Sequence, residues 1–193
     1  MRTRLGGLGL VLLLALVTAA CGSEAEPSTK PAPSSSPSPS TPPGVDTTVP
    51  KPPGKPADTL ESAAEFARYF VQVAQYATRT RDVTPLVVLA RDQATCTSCR
   101  QLSTYIEGLK EDELWETGED LELVRLRVRS KGDSTYTVSG PVTYPRIGFV
   151  DAKGDEQAEQ DASTYSFSVD LVWDQQRDRW GIRDYTLTKK GRK

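Results

Sequence analysis

Apolar and polar positions divide the 193-residue chain into three stretches. The first is an apolar run at residues 8–17 (LGLVLLLALV), preceded by Arg2 and Arg4. A membrane span needs about 20 apolar residues, so this shorter run reads as the core of a secretory leader over residues 1–20. Residues 22–57 then hold eleven of the chain's 14 prolines, many Ser and Thr, and no aromatic residue. Such a segment cannot bury a core. It predicts a disordered tether, about 110 Å long if fully extended and about 35 Å as a random coil.

From Leu60 onward the pattern is helical. Leu60, Ala63, Ala64, Phe66, Ala67, Phe70, Val71, Val73, Ala74 and Ala77 recur on one face of a helix of five to six turns. Asp58, with Glu61 three positions on, is its expected cap. Thr84 and Pro85 predict the start of a short helix through Leu89. A third helix is expected to begin near Thr95 or Thr97, to carry Leu102, Tyr105, Ile106 and Leu109 towards Trp115, and to end at Gly118.

Beyond Gly118 the period falls to two. Leu121 and Leu123, then Val124, Leu126 and Val128, alternate with Arg125, Arg127 and Arg129, and the slip at 123–124 predicts a bulge. Further strands are expected over residues 136–144, bent at Gly140-Pro141, over 147–150, 165–173 and 180–187, with a polar loop at 151–161. Helices first and a meander of about four to five strands afterwards predict an α+β domain over residues 58–193. In it, N-terminal helices pack on one face of a curved antiparallel sheet.

Composition narrows the chemistry. The chain has no His and no Asn, which removes Cys-His and Ser-His nucleophile pairs, His-containing metal sites and N-glycosylation sequons. Neither a metal nor a cofactor is expected. Beyond the leader, 22 basic residues face 26 acidic ones, a balance unlike that of a nucleic-acid-binding protein.

Thr18-Ala19-Ala20-Cys21-Gly22 resembles the lipobox of bacterial lipoproteins, with Thr18 at a position more often occupied by Leu. The resemblance implies that Cys21 is acylated and becomes the first residue. The implied location is the extracytoplasmic face of the cell membrane, with several acyl chains giving stable attachment. Cys96 and Cys99 then remain as an even pair in an oxidising compartment, where a small structural disulfide at a helix start is the preferred reading. The alternatives are a redox-active pair, which a helix N-terminus and Arg100 would favour, and a metal site.

The lipobox, the Pro/Ser segment, the helix AAEFARYFVQVAQYATRTRDVTPL, the Cys96-Thr97-Ser98-Cys99 turn and the terminal Trp180-Gly181-Ile182 strand together resemble a family of actinobacterial lipoproteins of unknown function, DUF6318. The order of helices and strands is similar to the cone-shaped nuclear-transport-factor-2-like, or SnoaL-like, fold. Neither resemblance implies a particular activity.

Without His, a general base would have to be a carboxylate. Asp170 lies opposite Phe167, Val169 and Leu171 on its strand, whereas Asp184 shares parity with Trp180 and Ile182. Asp184 would therefore stand among core aromatics unless a register slip sends it to solvent beside Arg183. Tyr69, Tyr76 or Tyr105 could supply an oxyanion donor. Phe66, Tyr69, Phe70, Trp115, Phe167, Trp173 and Trp180 could line a pocket at the open end of a cone, though packing alone explains them. Arg125, Arg127 and Arg129 form a cationic stripe that could meet an anionic wall polymer, or could simply be solvated. The expected function is a membrane-tethered binding module for an envelope protein, an apolar small molecule or a wall polymer. The alternatives are a cofactor-free isomerase or dehydratase with an Asp base, and a thiol-redox lipoprotein.

Overall fold

The computed structural model describes residues 41–190. Helix α1 (Leu60–Thr80) buries Ala63, Phe66, Ala67, Phe70, Val73 and Ala77 along one stripe. Its cap is Thr59, whose hydroxyl accepts from the Ser62 amide at 3.2 Å. The expected cap, Asp58, is used elsewhere: its carboxylate accepts from Tyr136 Oη at 2.7 Å and Ser134 Oγ at 2.6 Å. It thereby ties the helix entrance to the sheet. The helix ends at Arg81 in the left-handed conformation (φ 58°), with its guanidinium 3.5 Å from the centre of the Trp115 ring.

Helix α2 (Thr84–Val87) starts where Thr84-Pro85 predicts but is two residues shorter than expected. Helix α3 (Thr97–Glu111) is capped by Cys96 and stops before Trp115. Glu113 adopts a positive φ of 53°. The chain therefore turns after α3, and Trp115–Gly118 forms strand β1 rather than a last helical turn.

The remaining strands are β2 (Glu122–Leu123), β3 (Arg127–Gly132), β4 (Thr135–Tyr144), β5 (Ile147–Val150), β6 (Glu156–Gln160), β7 (Ser163–Asp174) and β8 (Arg179–Lys189). They make two antiparallel sheets, one ordered β1-β5-β6 and one ordered β2-β4-β7-β8, with β3 also on β4. The α+β expectation holds: the main sheet has five strands, within the expected four to five, and a second sheet adds three. Two of those three, β1 and β6, are short strands the pattern hides. Strand β6 reads Glu-Gln-Ala-Glu-Gln, so no apolar alternation marks it, and only its pairing with β5 makes it a strand.

Register links the two sheets. The β4–β7 ladder reaches Tyr144–Ser163, and the β5–β6 ladder resumes at Ile147–Gln160. Both are parts of one long hairpin, broken at Pro145-Arg146 and Asp161-Ala162. Opposite Pro141 the neighbouring strand is interrupted between β2 and β3, where Arg125 has a φ of 51°. The predicted irregularity at 123–124 is this gap. It lets a proline, which has no amide hydrogen, sit inside a long strand. Gly140 suits this crowded point, since a Cβ would stand 3.0 Å from Leu126 and 3.1 Å from the Val124 carbonyl oxygen, so that one of them would have to move.

The stripe of α1 packs on Tyr136, Val138, Val142, Phe167, Val169, Leu171, Trp180 and Ile182 of the main sheet. The one indole that needs a partner in this core finds it, with Trp180 Nε1 donating to Ser62 Oγ at 2.9 Å. Residues 41–57 form neither helix nor strand, as their prolines predict. Even so, Asp46, Thr48, Val49, Pro50 and Lys51 share a groove with Gln72, Tyr76 and Arg79 of α1, so the end of the expected tether lies on the domain. The expected leader and the first part of the expected tether, including Cys21, fall outside the described residues.

Candidate functional site

Between α1, α3 and the helix-facing side of the strands lies a cavity of about 310 Å³. Helix α1 contributes Phe70, Val71, Ala74, Gln75 and Thr78, spaced so that successive turns face it. Helix α3 adds Leu102 and Tyr105, and the strands add Glu116, Tyr144, Tyr165, Phe167 and Tyr185. The volume is in the range of small-molecule sites, and the walls are mostly apolar with a few polar groups.

Glu116 is the one carboxylate among the lining residues, and it is 9% exposed. Its closest partner is Thr78 Oγ1, which donates at 3.5 Å, a weak bond at best. Burial pushes the Glu116 carboxyl above the usual range, opposed by the charge of Arg79 and the Thr78 hydroxyl. Arg79 does not pair with Glu116. Its Nη1 donates to Asp120 at 2.8 Å, and its Nη2 donates to the carbonyls of Gly118 and Glu119 at 2.8 and 2.9 Å. Three of the lining tyrosines are shifted in the same direction. Burial raises Tyr105 and Tyr185 to about 12 and Tyr144 further still, and the charge of Glu116 adds to the rise at Tyr105. All are hydrogen-bond donors at neutral pH.

The raised Glu116 carboxyl sets a pH dependence. A folded state that holds this proton more tightly than the unfolded chain loses stability as pH rises from the ordinary carboxylate range through the raised value. Glu116→Gln is therefore expected to unfold at higher urea than the parent at pH 8, by about 1 kcal/mol. That advantage should vanish near pH 4, where both side chains are neutral. An equal difference at both pH values would contradict this reading.

The residues singled out from sequence are placed as follows. Cys96 and Cys99 form a disulfide, with Cα atoms 5.3 Å apart, and are 0% and 2% exposed. The pair closes the first turn of α3, where Cys96 Sγ accepts from the Cys99 amide at 3.2 Å. Asp184 does not face the core aromatics. A register shift in β8 between Ile182 and Asp184 turns it outward, the slip that parity left open. There it accepts from the Ser98 amide at 3.1 Å and from the Ser98 hydroxyl, so α3 is fastened to the sheet edge. Burial raises the Asp184 carboxyl, but the Ser98 bonds outweigh it and hold it below the usual range.

Asp170 lies on the outer face of the sheet, accepting from Thr137 Oγ1 at 2.6 Å and Lys131 Nζ at 3.0 Å. These bonds overcome its partial burial and keep its carboxyl low. Neither Asp lines the cavity. Of the tyrosines considered, only Tyr105 does. Of the aromatic set, Phe70 and Phe167 line it, while Phe66, Trp115, Trp173 and Trp180 are buried elsewhere in the fold. Arg125, Arg127 and Arg129 are exposed. Among the described residues, no three Cys, Asp or Glu side chains stand together as a metal cage.

Sequence reasoning missed Glu116, Tyr144, Tyr165 and Tyr185 as cavity residues. Glu116 follows Trp115 in a stretch read as helix, so its face was misassigned. Tyr144 and Tyr165 share the helix-facing side with Val142 and Phe167 and were legible from strand parity, whereas Tyr185 reaches that side only through the register shift at Arg183.

No curated protein matches the chain in sequence. Among solved structures, the intermembrane space region of the chloroplast protein ARC6 superposes with a TM-score of 0.50 at 14% identity, covering 70% of this chain and 100% of that one. An NTF2-like protein of unknown function in nutrient uptake from Rhodospirillum rubrum gives 0.42 at 18% identity, covering 64% and 97%. An NTF2-like superfamily protein from Salmonella enterica serovar Typhimurium gives 0.45 at 11% identity, covering 69% and 95%. At these identities the likeness is one of fold. Residues 33–186 match the profile of a family of unknown function, DUF6318, and the chain belongs to that family.

Proposed function

We propose that this protein is a lipid-anchored, extracytoplasmic binding module that holds a small, largely apolar molecule between α1, α3 and the sheet. The observation that carries the reading is the cavity of about 310 Å³, with its apolar walls and its tyrosine hydroxyls. The anchor rests on the lipobox-like Thr18-Ala19-Ala20-Cys21 and the proline-rich tether behind it. The disulfide supports a structural rather than redox role, because both sulfurs are buried and Cys96 serves as a helix cap. A cofactor-free proton-transfer enzyme is the second reading. It cannot use Asp170 or Asp184, both of which lie outside the cavity, and would fall to Glu116.

Two arms test the proposal. Cys21→Ser should move the protein from the membrane fraction to the soluble extracytoplasmic fraction, and its retention on membranes would remove the anchor. Naphthalene should perturb the cavity tyrosine resonances of the full-length chain. Ala74→Trp, which fills the cavity from α1, should abolish that response. An unchanged response in the folded Ala74→Trp variant would place binding elsewhere.

A further inference from the structure

The charge inventory of the cavity is lopsided. Its described walls carry one carboxylate, Glu116, and no Lys or Arg. Arg79, outside those walls, donates to Asp120 and two backbone carbonyls and makes no bond to Glu116. The same cavity is lined by six aromatic rings, those of Phe70, Tyr105, Tyr144, Tyr165, Phe167 and Tyr185. Several touch one another: Tyr144 and Tyr165 have centroids 4.9 Å apart, and Phe70 and Tyr185 5.2 Å.

A buried carboxylate whose neighbouring cation, Arg79, bonds to other groups is only partly compensated, and a cation that enters relieves the remainder. Aromatic faces attract cations through the ring quadrupole, most strongly where water is excluded. A ligand anion would meet Glu116 with no basic side chain among the cavity walls to pair with. We infer that the cavity is a cation cage, which takes a small amine or quaternary ammonium with apolar substituents, the charged nitrogen against Glu116 and the tyrosine rings and the apolar part against Leu102, Val142 and Phe167. This rests on the cavity being a ligand site at all.

The test uses the full-length protein and a charge-only comparison: benzyltrimethylammonium against its uncharged isostere, neopentylbenzene, each titrated at pH 8 and followed on the cavity tyrosine resonances. The ammonium is expected to bind at least about tenfold more tightly than the isostere. In Glu116→Gln that preference should fall by about tenfold while the isostere binds as before, which also reports that the variant is folded. If the isostere binds as tightly as the ammonium, or if Glu116→Gln keeps the preference, the cation cage is overturned while the apolar site stands. If neither probe reaches the cavity tyrosines, the binding-module reading fails along with it.

Discussion

Phe70→Ala is expected to destabilise the domain by about 3–5 kcal/mol, with the loss measured by urea unfolding. Phe70 is 1% exposed and stands at the centre of the α1 stripe. It packs against Phe167 at 6.4 Å and Tyr185 at 5.2 Å between ring centroids, so it bridges the helix to both long strands β7 and β8. Because it also lines the cavity, its truncation adds to an existing void instead of being closed by collapse. The cost should therefore lie at the upper end. A loss below about 1 kcal/mol would mean that α1 is not held on the sheet through this contact.

Arg79→Met should cost about 3 kcal/mol, although it keeps much of the side-chain volume. The guanidinium is buried, and its three bonds fasten the last turn of α1 to the chain between β1 and β2. Without it the carbonyls of Gly118 and Glu119 lose this donor. The Asp120 partner is largely exposed, so the exposed ion pair contributes little of this figure. A second signature separates electrostatics from packing. Arg79 lowers the Glu116 carboxyl, so in Arg79→Met that group should titrate at higher pH than in the parent, measured by carboxyl-selective NMR. An unshifted Glu116 would show that the Arg79 charge does not reach the cavity.

The main elements were legible because their periods are strong. Ten apolar positions at helical spacing specify α1, and uninterrupted alternation from Tyr165 to Trp173 specifies β7. What was hidden depended on contacts between distant residues. Asp58 reads as a helix cap by local rules, yet it meets Tyr136 and Ser134, and Thr59 caps in its place. Trp115 continues a helical apolar pattern, but the backbone turns at Glu113 and pairs Trp115 with Val150. The same misreading concealed Glu116, the residue that gives the cavity its charge. For Asp184, parity was an ambiguous guide, since one extra residue at Arg183 reverses every side chain beyond it.

The interruption opposite Pro141 has a consequence for crowding. One border of the main sheet is broken there into the two-residue β2 and a short β3 studded with Arg127, Arg129 and Lys131. At the other border, the amide and carbonyl of Ile182 are occupied by Leu89 and Arg91, and the Tyr185 amide by Ser98. Neither rim offers a long neutral row of free amides on which a second copy could lay a strand. Growth of this sheet by strand addition at either border is therefore disfavoured.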